Sequence, residues 1–325
     1  GARLHVARMS LVDLSSPRAR LHKPVGGLRP REDGRYISRP RLWIYPPSIN
    51  SGKAHVALRA SSCTDFTIET VGVVGANYRP EYALLNPLMT VPSLEIGDVI
   101  INDSHEIVRY LRKRWPAEGT TDSAEVQSFV ALVESWDEGL WNYGTLEGGV
   151  SSAAELANEA RIYYLRKYRA QVARRKGTDS GRLALLSAYD AKIAAVGKLA
   201  GATASATRDQ ASIDEASCVL DAITARAQAL LEQHSGRGRY LVGAYSDADT
   251  VLAPILGRLA QAFPWALTAY ANRHPLLAPY LERLRATPAC VHGCFEVQRS
   301  LASILPWLLG FALRKCCGCT RPPGA

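Results

Sequence analysis

The chain has 325 residues, of which 47% are hydrophobic and 21% are charged, so it is long and apolar enough to bury a sizeable core. This composition excludes a disordered or collagen-like chain. The formal net charge is +9, and residues 1–40 hold eight Arg and one Lys against three acids, so the basic surplus is concentrated in an amino-terminal arm.

The basic arm, residues 1–40, is rich in Arg and Ser and poor in acids, as organellar transit segments are. Two other interpretations stay open, a solvated extension and a surface that binds a partner. The seven cysteines lack the spacing of a secreted disulfide framework, which favours a reducing, intracellular setting.

Residues 41–116 alternate short β-branched or aromatic runs with helical patterns, which predicts a small α/β domain. Gly97 and Asp98 supply the turn of a hairpin. The predicted elements, in chain order, are strand Arg41–Tyr45, helix Ser51–Ser61, strand Phe66–Val74, hairpin strands Val91–Leu94 and Val99–Ile101, and helix Asp103–Trp115.

Strand signals disappear from Thr121 onward, so residues 121–295 are predicted to form an all-α domain with a long helical insertion at about 150–235. Apolar residues recur there at three- and four-residue spacing, as on one face of an amphipathic helix. Two such stripes are Leu186, Tyr189, Ile193, Val196 and, further on, Ile213, Ala216, Leu220, Ile223, Ala227, Leu230.

Residues 152–176 form a predicted helix with a strongly basic surface. Such a helix could face anionic lipid, an acidic partner or RNA. A solvated face is the plainer interpretation of a charge run.

Three short segments of the α/β domain carry polar groups suited to one ligand. Ser48 and Ser51 lie at a predicted helix start, where hydroxyls and unpaired N–H groups favour a thiolate. Pro92 opens a strand after Val91, which predicts a cis peptide bond that turns the Val91 backbone groups toward a ligand's peptide. Asp103 and Ser104 lie at a helix start that could hold an ammonium and a carboxylate. Each segment alone could be an ordinary helix cap or turn.

In this order and spacing, the segments resemble the glutathione transferases, whose amino-terminal thioredoxin-like domain carries matching elements. A fourth match lies in the helical half, where Ser246 and Asp249 form a predicted capping box without a chemical role. The other matching residues are Asn86-Pro87, Val91-Pro92, Ser93-Leu94, Asp103-Ser104 and Tyr110-Leu111. The resemblance implies a thioredoxin-like α/β domain followed by an all-α domain, with glutathione as the cofactor.

Within that superfamily, the long helical insertion and an apolar tail resemble the ganglioside-induced differentiation-associated proteins and the tetrachlorohydroquinone-dehalogenase-like transferases. Those families share a Ser-x-x-Ser-x-basic-x-basic segment, matched here by Ser48, Ser51, Lys53 and His55, with His55 where arginine is usual. The resemblance implies that Ser48, with Ser51, activates the glutathione thiol. It also implies that Val91, Pro92, Asp103, Ser104 and Lys53 bind the rest of the molecule.

The tail, residues 296–325, contains the apolar run Ser300–Leu313 followed by Arg314 and Lys315. Fourteen helical residues would span about 21 Å, which is short of the roughly 30 Å hydrocarbon core, so an in-plane or partner-buried segment is predicted. Cys316, Cys317 and Cys319 beside the run are candidate acylation sites. In the resembling animal family the tail anchors the protein in the mitochondrial outer membrane. We therefore expect a mitochondrial membrane location, with a plastid as the alternative.

Two further ligands are not favoured by the sequence. Cys290, His292 and Cys294 have irregular spacing for a zinc site. No motif with stacking aromatic residues accompanies the basic charge, so nucleic-acid binding is not predicted.

Two functions are consistent with these features. The first is a glutathione transferase at an organelle membrane. The second is a transferase-fold accessory subunit of a membrane protein complex, bound through the arm, the basic helix 152–176 and tail residues 300–319. Whether the chain forms a dimer is left open.

Overall fold

The computed structural model describes residues 39–73, 75–97, 99–117, 122–139, 141, 152–175, 180–206, 210–235 and 239–296. The basic arm before Arg39 and the tail after Glu296 lie outside these residues.

The described residues of the amino-terminal half contain four strands, four α-helices and one short 3-10 helix, Ala76–Tyr78. The helix α1 begins two residues before the predicted start, because Ser48 is its N-cap. In chain order the elements are β1 (Arg41–Ile44), α1 (Ile49–Ala60), β2 (Thr67–Thr70), α2 (Pro80–Leu85), β3 (Ser93–Ile96), β4 (Val99–Ile101), α3 (Ser104–Arg114) and α4 (Ala124–Glu134).

All remaining regular structure in the described chain is helical, as predicted. The elements are α5 (Ser152–Ala173), α6 (Ser180–Ala206), α7 (Gln210–Gln233), α8 (Asp247–Ala262), α9 (Pro264–Arg273), α10 (Leu277–Arg285), α11 (Pro288–Cys290) and a π-helix (Val291–Phe295). No helix in the described ranges is long and apolar enough to cross a membrane.

The four strands form one mixed sheet in the order β2-β1-β3-β4. β1 is parallel to β2 and antiparallel to β3, and β3 pairs with β4 as the predicted hairpin. The hairpin turn uses Gly97 with φ 59°, a left-handed backbone conformation that glycine adopts without a Cβ clash. The fold class is confirmed: a small thioredoxin-like α/β domain is followed by an all-helical region.

The chain divides into two compact units. The first contains the sheet, α1, α3, α4 and helices α8 to α11. Its core is built where Leu42 and Ile44 of β1 meet Ala54 and Leu58 of α1 and Ile107 of α3, all nearly fully buried. The sheet is therefore covered by helices whose apolar faces were recognisable in the sequence.

The second unit contains α2, α5 and α6. Its core includes Ala160, Tyr164 and Val172 of α5. Of the predicted stripe on α6, Tyr189 and Val196 are buried in this core, and Leu186 and Ile193 are partly buried against it. The Tyr189 hydroxyl donates a hydrogen bond of 2.5 Å to the Tyr78 carbonyl, which fixes α6 against the turn before α2.

Several predicted boundaries were wrong by a few residues. β2 covers only Thr67–Thr70, because the chain leaves the sheet at Val71 and Gly72. β3 begins at Ser93 rather than Val91, because the chain bends at Val91 and joins the ladder only at Ser93. The predicted domain limits, 41–116 and 121–295, are not tested by these elements and stay a prediction.

Candidate functional site

The amino-terminal end of α1 offers a hydroxyl and an acid-free helix start. Ser48 is partly exposed, and its Oγ accepts the Ser51 backbone N–H at 3.2 Å. Within the described ranges, the Ser48 O–H proton has no acceptor. The first turn of α1 contains no acidic residue. The helix dipole at this end therefore favours an anion, and Ser48 can donate a hydrogen bond to it.

Ser51, the second predicted serine, is fully buried. Its Oγ accepts the Tyr45 backbone N–H at 3.1 Å and so closes the segment between β1 and α1. The two hydroxyls therefore differ in exposure. Ser48 is accessible to a ligand, whereas the hydrogen bond to Ser51 stabilises the loop that carries Ser48.

The predicted cis peptide bond between Val91 and Pro92 is confirmed. Trp43 of β1 pairs with Ser93 of β3, and Val91 precedes Ser93 by two residues. The Val91 backbone therefore lies near the end of β1, from which the chain continues to Ser48.

The start of α3 lies against the start of α1. Asp103 is the N-cap of α3, and its Oδ1 accepts the backbone N–H groups of His105 at 3.0 Å and Glu106 at 3.1 Å. Ser104 is buried, and its Oγ donates to Asn50 Oδ1 at 3.3 Å. The hydrogen bond between Ser104 and Asn50 joins the two helix starts that the sequence predicted to share a ligand.

These contacts are compact enough for one small peptide. Ser48 and Asn50 are two residues apart, so their Cα atoms are within about 7 Å of each other, and an extended tripeptide spans about 10 Å. Since Asn50 contacts Ser104 directly, Ser48, Val91 and Ser104 lie around the same end of the sheet.

Comparison with known proteins agrees with this arrangement. Residues 42–119 match the family model described as "Glutathione S-transferase, N-terminal domain". Over these residues the chain is similar to that domain.

Individual relatives extend the similarity beyond this segment. Glutathione S-transferase TCHQD of Arabidopsis thaliana is 24% identical over 225 residues, which are 68% of this chain and 77% of the relative. Probable maleylacetoacetate isomerase 1 of Drosophila melanogaster is 30% identical over 119 residues, 34% of this chain and 48% of the relative. The structure of beta-etherase LigF from Sphingobium sp. strain SYK-6 has a TM-score of 0.52 and 18% identity, covering 78% of this chain and 98% of that one, which shows a shared fold.

Lys53 is a buried residue of α1, with 3% of its surface exposed. Its Nζ lies 3.4 Å from Nε2 of His105 on α3. The other ring nitrogen, Nδ1, lies 2.9 Å from Oε1 of Glu134 at the end of α4. Contact with His105 lowers the pKa of Glu134. The structure therefore connects Lys53 to a histidine and a carboxylate that no local motif in the sequence indicates.

His55 stands where arginine is usual in the resembling transferases, and its surroundings explain what the substitution does. Burial and the nearby Arg59 guanidinium lower its pKa to about 4. Arg59 Nε donates to His55 Nε2 at 3.3 Å. The imidazole is consequently neutral at neutral pH and supplies no positive charge behind α1.

One contact from the helical half reaches the loop before Ser48. The guanidinium of Arg258, on α8, donates to the Pro47 carbonyl. This contact joins residues that are far apart in sequence, as do the contacts of Asn50, His105 and Glu134. No local sequence motif predicts these contacts.

Near the end of the described chain, Cys290 and Cys294 are packed into the interior, whereas His292 is exposed. Cys290 and Cys294 are fully buried, and burial raises the pKa of the Cys290 thiol to about 12. The described ranges contain no group of three or more His, Cys, Asp or Glu residues arranged to hold a metal ion.

Proposed function

We propose that this chain binds glutathione and activates its thiol at Ser48 for conjugation or thiol transfer. The observation that carries the proposal is the position of Ser48. Its hydroxyl caps an acid-free helix start, beside the Val91 backbone and the joined residues Asn50 and Ser104.

Each predicted contact has a chemical role in this proposal. A free thiol with a pKa of about 8.5 is mostly protonated at pH 7, and each unit of depression corresponds to about 1.4 kcal/mol of thiolate stabilisation. Ser48 donates a hydrogen bond to the thiolate, and the α1 dipole adds to the stabilisation. The anion then attacks an electrophilic carbon or a disulfide sulfur, and the leaving group departs with the bonding electrons.

The remaining residues hold the peptide. The Val91 backbone aligns with the ligand's main chain, as an added strand does. Ser104, at the positive end of the α3 dipole, receives a carboxylate, and the Asp103 carboxylate receives the ammonium group. Ser51 and Lys53 are buried, so we assign them to the support of the Ser48 loop and of α3 rather than to direct contact with the thiol.

Replacing Ser48 tests the proposal. Ser48→Ala removes both the thiolate donor and the helix cap, whereas Ser48→Gly removes the donor at a cap cost of only a few tenths of a kcal/mol. We expect both variants to conjugate glutathione to a generic electrophile about ten- to a hundredfold more slowly, which corresponds to roughly 1.4 to 2.7 kcal/mol. Retention on glutathione agarose should persist.

Ser61→Ala is the matched control, because Ser61 caps the opposite end of α1 and its hydroxyl donates to the Leu58 carbonyl. This variant should conjugate at the wild-type rate. Equal rates for wild type, Ser48→Ala and Ser48→Gly would reject activation by Ser48. If the wild-type protein is retained on glutathione agarose but conjugates no electrophile, the accessory-subunit alternative is supported instead.

We also propose a mitochondrial membrane location, with a plastid as the alternative. The support is the sequence of residues 300–319, in which an apolar run is followed by two cations and three cysteines. Residues 300–319 lie outside the described residues. The proposal is therefore tested by measuring whether the full chain binds membranes.

A further inference from the structure

A chain of charged and polar contacts lies immediately behind Ser104. Lys53 on α1 contacts His105 Nε2 at 3.4 Å, and Glu134 on α4 lies 2.9 Å from His105 Nδ1. His105 thus bridges a cation and an anion that come from two other helices. Thiol activation at Ser48 makes no use of this bridge.

Each ring nitrogen of His105 has one partner in this bridge. Nε2 faces the Lys53 amine and Nδ1 faces a Glu134 oxygen. A side chain that replaces the ring therefore needs a polar atom toward each of the two partner helices.

Two further charged side chains lie beside the bridge. Arg109 Nη1 donates to the same Glu134 oxygen at 3.0 Å, and Arg109 Nη2 donates to Glu106 at 2.7 Å. Asp103 uses its Oδ1 for the α3 backbone amides. Glu134 is thus shared between His105 and Arg109, while Lys53 is buried on the other side of the ring.

Both helices joined by the bridge carry residues of the candidate site. His105 follows Ser104 directly, and Lys53 lies one turn after Asn50, which accepts from Ser104. We propose that His105 is a positioning residue for glutathione, which holds the start of α3 against α1 through Lys53 and Glu134. This inference rests on the proposed function. Loss of the bridge weakens glutathione binding, whereas the reactivity of the bound thiol depends on Ser48.

The experiment measures glutathione affinity by calorimetry in wild type, His105→Leu and His105→Gln. Leucine has no polar atom for either partner, whereas the glutamine amide can accept from Lys53 and donate to Glu134. We expect His105→Leu to lose about tenfold in affinity and His105→Gln to stay within about threefold of wild type.

Kinetics and a control variant separate positioning from general stability. His105→Leu should raise the KM for glutathione about tenfold while kcat stays within about twofold. His234→Gln is the matched control, because His234 Nε2 lies 3.2 Å from Glu125 in a similarly buried pair away from the candidate site. It should keep the wild-type affinity. If His105→Leu does not fold, His105→Asn takes its place, because the shorter amide cannot reach both partners.

The outcomes distinguish the inference from the proposed function. Wild-type affinity in the variant that lacks the bridge would overturn the role of His105 and leave the proposed function intact. An absence of glutathione binding by wild type would overturn the proposed function and the inference with it.

Discussion

Two hydroxyls three residues apart have different roles because their burial differs. Ser48 is partly exposed and retains an unused O–H donor in the described part of the chain, whereas the Ser51 oxygen is buried and accepts from Tyr45. Residue type and spacing made both serines candidates for the thiolate. Only the fold distinguishes the hydroxyl that a ligand can reach from the one that holds the loop.

Asp247 is the first residue of α8. Burial raises the pKa of its carboxyl group by more than its ion pair lowers it. Its Oδ2 lies 2.8 Å from Arg112 Nη1, yet desolvation raises its pKa from 3.8 to about 6. Because the folded-state pKa is the higher one, the folded chain binds the proton more tightly. The associated stability is fully present below pH 3.8 and is lost as the pH rises through about 6.

We predict that Asp247→Asn, which does not titrate, becomes more stable relative to wild type as the pH rises from 4 to 7. The shift from 3.8 to about 6 sets an upper limit of about 3 kcal/mol on this change. Urea unfolding at several pH values measures it. Asp122→Asn is the control, because Asp122 contacts the same Arg112 at 3.1 Å but is much more exposed. Parallel stability profiles for wild type and Asp247→Asn would contradict the prediction.

Among the elements, α1 is covered on both sides, which explains its lack of a polar face. Residues 51 to 58 are all buried, because the sheet and α3 cover one side while α8 and the π-helix cover the other. Gly293 of the π-helix allows this approach. A Cβ at position 293 would lie 2.7 Å from the Val56 Cα, which is backbone and cannot move aside easily.

Gly293→Ala should therefore destabilise the protein by about 1 to 3 kcal/mol, as overpacking of a core does. Gly197→Ala is its matched control, since Gly197 lies within α6 and an added Cβ there meets nothing within 4 Å. In that open helical position alanine should stabilise by about 0.5 to 1 kcal/mol. Chemical denaturation of the two variants would show opposite signs. A neutral Gly293→Ala would mean that the π-helix can shift away from α1.

The elements themselves were largely predictable, because their signals are local. The apolar stripe on α7, the cap at Asp103 and the capping box of Ser246 and Asp249 each depend on residues within one or two turns, and each is confirmed. The end of β2 was not predictable. Val71 is buried and β-branched like a strand residue, but the chain turns away from β1 there.

The site was predictable only in part for the same reason. The serines, the cis proline and the α3 start belong to short motifs, whereas His105 meets Lys53 across 52 residues and Arg258 meets Pro47 across 211. Such pairs follow from how the helices pack. The periodicity of a single sequence does not predict these long-range pairs.

For the whole molecule, charge and apolar sequence are unevenly distributed along the chain. The net charge is +9, and the tail joins the apolar run Ser300–Leu313 to Arg314 and Lys315. An apolar segment next to cations combines burial in the acyl boundary with attraction to anionic headgroups. These two contributions respond differently to salt, because salt screens only the electrostatic one.

We predict that the full chain co-sediments with vesicles containing anionic lipid and that a chain ending at Glu296 does not. Raising the salt to 0.5 M should weaken binding of the full chain only in part, since apolar burial at about 25 cal/mol per Å² persists. Neutral vesicles should retain the salt-resistant part alone. Replacing Cys316, Cys317 and Cys319 with serine should leave binding of unacylated protein unchanged, because the cysteines would act only after acylation. Equal sedimentation of the full and shortened chains would assign membrane binding to another surface and remove the support for a tail anchor.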